Sequence, residues 1–146
     1  MTQMSEQNEI LFYTFDVDGE NFTSAGEASV QVKRILRKVG FDPEVIKRVS
    51  IAMYEGEINM VIHAGGGVAN LYIDYDRIVI ELIDHGPGIA NVELAMKEGF
   101  STAPDNIRAL GFGAGMGLPN MKRYTDQMDI DTELGKGTTI RMVVNV

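Results

Sequence analysis

Glu55, Asn59 and His63 follow one another at i, i+4 and i+8. At about 100° per residue this spacing puts all three on one side of a helix, amid Val45, Val49, Ala52, Ile58 and Ile62. Two chemistries suit such a face. The carboxylate can serve as a base, and the amide can offer its carbonyl oxygen to a hard cation. The other reading is that each group is buried on dedicated protein partners, because an unpaired buried carboxylate or amide costs several kcal/mol. Lys47, Ser50, Tyr54 and Glu57 fall on the opposite side, the side expected to face solvent, while Arg48 projects near the first group.

Downstream, Asp84-His85-Gly86-Pro87-Gly88 follows an apolar strand-like run. Asp84 can accept from an exocyclic amine, and the glycines either let backbone approach a flat ligand or simply make a turn. Four glycines then alternate in Gly111-Phe112-Gly113-Ala114-Gly115-Met116-Gly117 ahead of a helical stretch. Free amides at such a junction cradle phosphate, or the segment is a plain surface loop. No Lys-Ser/Thr follows the glycines, so it is not a P-loop. Gly135-Lys136-Gly137-Thr138-Thr139 precedes the last strand and completes an ordered set of four sites.

These residues need elements to hold them. Ile10 to Val17 reads as a strand after a polar, flexible segment 1–9. Val30, Val32, Ile35, Leu36 and Val39 recur at helical spacing within 24–39, with Gly40 as C-cap. Asp42-Pro43-Glu44 supplies an N-cap, a first-turn proline and an acidic first turn for a helix reaching about His63. Gly65-Gly66-Gly67 breaks it, and Val68–Tyr75 and Arg77–Asp84 form a hairpin turning near Asp76. Short helices are expected over 91–98 and 117–127, a Gly-rich segment over 99–116, and strands over Met128–Glu133 and Thr138–Val146. This order predicts an α+β two-layer sandwich, with helices on one face of a mixed, mainly antiparallel sheet, forming one domain over 10–146.

Length and charge narrow the function. A chain of 146 residues is one domain, too short for a multidomain enzyme. Thirteen Lys+Arg against 21 Asp+Glu give a net charge of −8, which argues against nucleic acid or an anionic membrane as partner. The chain has no Cys, so thiolate zinc sites and cysteine nucleophiles are excluded. No apolar run approaches the ~20 residues that span a bilayer, and the N-terminus has no signal-peptide pattern; a cytoplasmic location is expected.

The four sites in this order resemble the Bergerat-fold ATPases of the GHKL superfamily over about residues 10–146. Glu55-Gly56-Glu57-Ile58-Asn59-Met60-Val61-Ile62-His63 is similar to the N box of that superfamily. The resemblance implies that Asn59 binds Mg²⁺, that Glu55 is the general base, and that His63 belongs to the nucleotide site. It further implies that Asp84, Gly86 and Gly88 form the adenine-binding box, that Gly113, Gly115 and Gly117 face phosphate, and that Thr138 supports the adenine contact through water. Residues 99–108 resemble the ATP lid of the small anti-sigma serine kinases, with Arg108 placed to reach phosphate or a partner. Gly113-Ala114-Gly115 and Leu118-Pro119 are closer to the related switch kinases. The implied activity is transfer of phosphate from Mg·ATP to Ser or Thr on a small protein, an anti-anti-sigma type domain, with a sigma factor as a further partner and ATP or ADP deciding which is held. A nucleotide-dependent binding module without phosphotransfer and a detached histidine-kinase catalytic domain are the alternatives. The Ile10–Val17 strand either pairs with a second copy at a sheet edge, giving a homodimer, or lies inside the sheet.

Overall fold

The computed structural model describes residues 10–20, 25–97 and 117–146. The elements are β1 (Leu11–Asp18), α1 (Glu27–Val39), α2 (Pro43–Ala64), β2 (Gly66–Ile73), β3 (Arg77–Asp84), α3 (Val92–Ala95), α4 (Gly117–Arg123), β4 (Gln127–Glu133) and β5 (Gly137–Asn145). The strands form one sheet in the order β1-β2-β3-β5-β4, and every pairing among the described residues is antiparallel, the main component of the sheet expected.

Punctuation residues act where their chemistry requires. Asp42 Oδ1 accepts from Glu44 N at 3.2 Å and starts α2. Gly40 and Gly65 end α1 and α2 in the left-handed region, at φ 101° and 73°, where a Cβ would be strained.

Alternation along the strands gives the sheet one buried face. Rungs cross it in register: Leu11, Ile73, Ile78 and Val144; then Tyr13, Leu71, Ile80, Met142 and Met128; then Phe15, Ala69, Leu82, Ile140 and Ile130. Apart from Leu11, which is exposed on the edge strand, these side chains join Val32 and Leu36 of α1, Val49, Ala52, Met53, Met60 and Val61 of α2, and Leu118 and Met121 of α4 in a single core. Two residues further along, the same face turns polar, since Asp84 pairs with Thr138 and Thr138 with Thr132. That polar rung borders the candidate site.

Helix α2 lies between α1, α4 and the sheet, so little of it meets solvent. Lys47 and Tyr54 are exposed as expected, but Glu57, expected on the same outward face, is 3% exposed. Its carboxylate accepts from Gly26 N (2.8 Å) and Ala28 N (3.2 Å) on Oε2 and from Ser29 N (3.1 Å) on Oε1. A wheel with one dry and one wet side fails for a helix that a neighbouring helix covers on a second side. Ser50 is corrected likewise: its Oγ is buried with no hydrogen-bond partner among the described residues. Arg48 ties α2 to the far end of the sheet, with Nε on Tyr124 O at 3.2 Å and NH2 3.0 Å from Asp126 Oδ2.

Candidate nucleotide site

One half-buried stripe remains on α2, and Glu55, Asn59 and His63 lie on it. Of the two readings of this face, burial on dedicated protein partners gives way to half-burial for all three residues. Glu55 Oε2 accepts from Asn120 Nδ2 of α4 at 3.3 Å. The Asn59 side chain makes no hydrogen bond among the described residues, and a Cβ added at Gly117 would stand 3.9 Å from its Oδ1. A half-buried amide without a partner among the described residues is open to water or a ligand. The first residue of α4 therefore faces the amide of α2.

His63 occupies the last turn of α2, where the helix dipole favours the imidazolium. Burial opposes this and pushes its pKa below the usual 6.5. The unfolded chain then binds the proton first as pH falls, so His63 lends full stability above about pH 6.5 and loses it on acidification. Urea midpoints are expected to drop between about pH 7 and 5 and to flatten there in His63→Gln. A midpoint that rises on acidification would contradict this.

At the end of the sheet, Asp84 Oδ1 accepts from Gly86 N at 3.0 Å and from Thr138 N at 3.1 Å. Both bonds go to one oxygen, which turns Oδ2 toward any incoming donor. Thr138 is buried, and its Oγ1 lies 2.8 Å from Thr132 Oγ1, which in turn accepts from Ile89 N at 2.9 Å. Thr132 escapes a reading of the sequence because a lone Thr in an alternating strand looks like surface; its cross-strand pairing with Thr138 is the signal that finds it. Asn120 escapes for the same reason.

The two glycines of this loop do something other than admit a ligand along their Cα–H direction. A Cβ at Gly86 would lie 2.7 Å from Ala64 Cα, and one at Gly88, whose φ is 82°, would lie 2.6 Å from Glu133 O. They allow the loop to pack on the end of α2 and on the β4–β5 turn, and Gly135 N donates to Pro87 O at 2.9 Å in support. Asp84 is held in place by that packing. Arg108, Gly113 and Gly115 lie outside the described residues, whereas Gly117 opens α4 beside Asn59.

A cavity of about 330 Å³ between β1 and α1 opens beside Phe15, Ala28 and Gln31 rather than at this site. Of the acidic residues that line it, Asp16, Asp18, Glu27 and Glu57, the last is already engaged by three backbone N–H groups.

An acid and an amide one turn apart on a half-buried helix stripe, with an aspartate on the terminal rung of an antiparallel sheet, are the arrangement expected of ATP-binding domains of the Bergerat type. A family profile described as histidine kinase-like ATPase domain matches residues 21–144. The chain belongs to that family. It is similar to the anti-sigma F factor of Caldanaerobacter subterraneus subsp. tengcongensis, 36% identical over 104 residues that cover 68% of this chain and 69% of the relative. It is also similar to the serine/threonine-protein kinase RsbT of Bacillus subtilis, 30% identical over 115 residues, 76% of this chain and 80% of that one. Among solved structures, the RsbU and RsbW domains of a Mycobacterium tuberculosis protein superpose with a TM-score of 0.61 at 16% identity, covering 92% of this chain and 32% of that one. At that identity the likeness speaks for the fold alone.

Proposed function

We propose that the chain, acting as one domain over residues 10–146, is an ATP-dependent serine/threonine-protein kinase of the anti-sigma regulatory kind, which phosphorylates or sequesters a small protein partner. The observation that carries this is the pair on α2: a carboxylate oriented from α4, and one turn on an amide whose side chain has no partner among the described residues. Relatives named as an anti-sigma factor and as a serine/threonine kinase support the choice of acceptor.

The residues fit the groups such a reaction needs. The Asn59 carbonyl oxygen, together with phosphate oxygens, would hold Mg²⁺, a hard cation that keeps several non-protein ligands. Bound there, the ion would offset charge on the transferring phosphoryl group. Asp84 Oδ2 would accept from the exocyclic amine of adenine, with Thr138 holding the carboxylate behind it. Glu55 would take the proton of the acceptor hydroxyl as its oxygen bonds to the γ-phosphorus and the bridging oxygen leaves with ADP. Arg108 and the amides of Gly113, Gly115 and Gly117 belong to the phosphate end of this reading.

An anti-anti-sigma type domain is the partner this reading assigns, with a sigma factor as the protein sequestered, in the cytoplasm. No helix among the described residues is long and apolar enough to cross a membrane. A second copy would pair on β1, which lies at one edge of the sheet and exposes Ile10, Leu11 and Phe12. Sedimentation is expected to show a dimer that Phe12→Lys shifts toward monomer; identical masses would remove that interface.

The primary test is thermal. Mg·ATP in excess is expected to raise the melting temperature of the wild-type chain by several degrees, as ligand linkage requires, and Asn59→Ala is expected to erase the magnesium-dependent part. Equal stabilisation of both proteins would remove Asn59 from the site. Incubation with labelled ATP and candidate partners then separates transfer to Ser or Thr from binding alone.

A further inference from the structure

The same carboxylate that the proposed function makes the base is held by a residue nothing above assigns to the reaction. We propose that Asn120 is a positioning residue for Glu55; the inference rests on Glu55 being the general base. Asn120 Nδ2 donates to Glu55 Oε2 at 3.3 Å, and Arg123 NH1 donates to Asn120 Oδ1 at 3.2 Å. The second bond settles which end of the amide faces Glu55, because the oxygen is taken by Arg123 and the nitrogen is left for the carboxylate. Among the described residues no other hydrogen bond reaches the Glu55 carboxylate, so one bond selects its rotamer and turns Oε1 toward an acceptor hydroxyl.

The backbone under this contact is fixed. Leu118 and Met121, on either side of Asn120, are buried in the core. Met121 and Leu82 pack against Gly56, the residue after Glu55: a Cβ there would meet the Leu82 side chain and come within 3.4 Å of Met121 Sδ. The glycine lets α4 lie close enough to α2 for a short amide to span the gap. The donor is also of the right kind. A lysine or arginine here would pair with the carboxylate and weaken it as a base, whereas a neutral amide orients it and leaves its charge in place. Misplacing a reacting group by about 1 Å can cost about 100-fold.

The test uses the whole chain in three variants. Asn120→Asp keeps the shape and replaces the donor with an acceptor; Asn120→Gln restores the donor on a longer arm; Glu55→Ala removes the group positioned. Without nucleotide, the Asn120 side-chain amide pair in ¹H–¹⁵N spectra is expected to move in Glu55→Ala while the backbone resonances of α4 stay in place. With Mg·ATP and water as acceptor, Asn120→Asp is expected to lower kcat at least about tenfold with ADP affinity within about twofold, and Asn120→Gln to recover part of the loss. An amide pair indifferent to Glu55→Ala, or Asn120→Asp turning over ATP at the wild-type rate, overturns the proposal. If the wild-type chain hydrolyses no ATP, the amide resonance alone decides. Glu55→Gln turning over ATP normally is a different failure: it removes the base, and any positioning role in catalysis with it, even where the amide result stands.

Discussion

Glu55→Gln is expected to lower phosphoryl transfer to a serine or threonine partner by at least about 100-fold, the lower part of the range for a positioned general base. Mg·ATP affinity should change by no more than a few-fold. The split follows from the geometry. Glutamine has the shape of glutamate and retains an oxygen that can accept from Asn120 Nδ2, so the α2–α4 contact survives. It cannot take a proton from a hydroxyl, and the hydroxyl oxygen must then attack the phosphorus as a far poorer nucleophile. On the proposed reading nucleotide affinity would depend instead on Asn59 and Asp84, one turn along α2 and at the end of β3. Single-turnover transfer of labelled phosphate, with nucleotide affinity measured separately, gives both numbers. Transfer at the wild-type rate would remove Glu55 as base. Loss of affinity and transfer together would mean that the carboxylate binds rather than reacts.

Local chemistry made most of the fold legible before any coordinates. Gly40, Asp42-Pro43 and Gly65 announce the ends of α1 and α2 because few other residues accept those conformations, and alternation of apolar residues marks β2, β3 and β5. The site was legible where its spacing is helical, as in Glu55, Asn59 and His63. It was not legible where function depends on what lies across a gap. Asn120 and Thr132 are single polar residues in amphipathic elements, and only the neighbouring α2 and β5 give them work. Gly86 and Gly88 read either as a turn or as an approach for a flat ligand, and it is the structure that shows their Cβ directions meeting Ala64 and Glu133.

Glu57 shows the same limit with the larger energetic consequence. Helix α1 begins at Gly26, which offers no side-chain cap, so the first N–H groups of the helix need an acceptor from elsewhere. Glu57 supplies it from α2, using both carboxylate oxygens for three N–H groups and placing a negative charge at the positive end of the helix dipole. Burying a carboxylate costs several kcal/mol by itself, and here the three charge-assisted bonds offset that cost. Glu57→Ala removes the compensation and leaves three donors at the buried residues Gly26, Ala28 and Ser29 without their acceptor. A loss of about 3–5 kcal/mol is expected, as for breaking a buried charged network, against a total stability of roughly 5–15 kcal/mol for such domains. Glu57→Gln should cost less, about 2 kcal/mol, because one amide oxygen can still accept while the NH₂ group confronts an N–H. Urea unfolding at constant m-value measures both, and faster amide exchange at Ala28 and Ser29 would locate the damage at the start of α1. Two variants as stable as the wild type would mean that water replaces the carboxylate freely, and that α1 and α2 are held together by their apolar contacts alone.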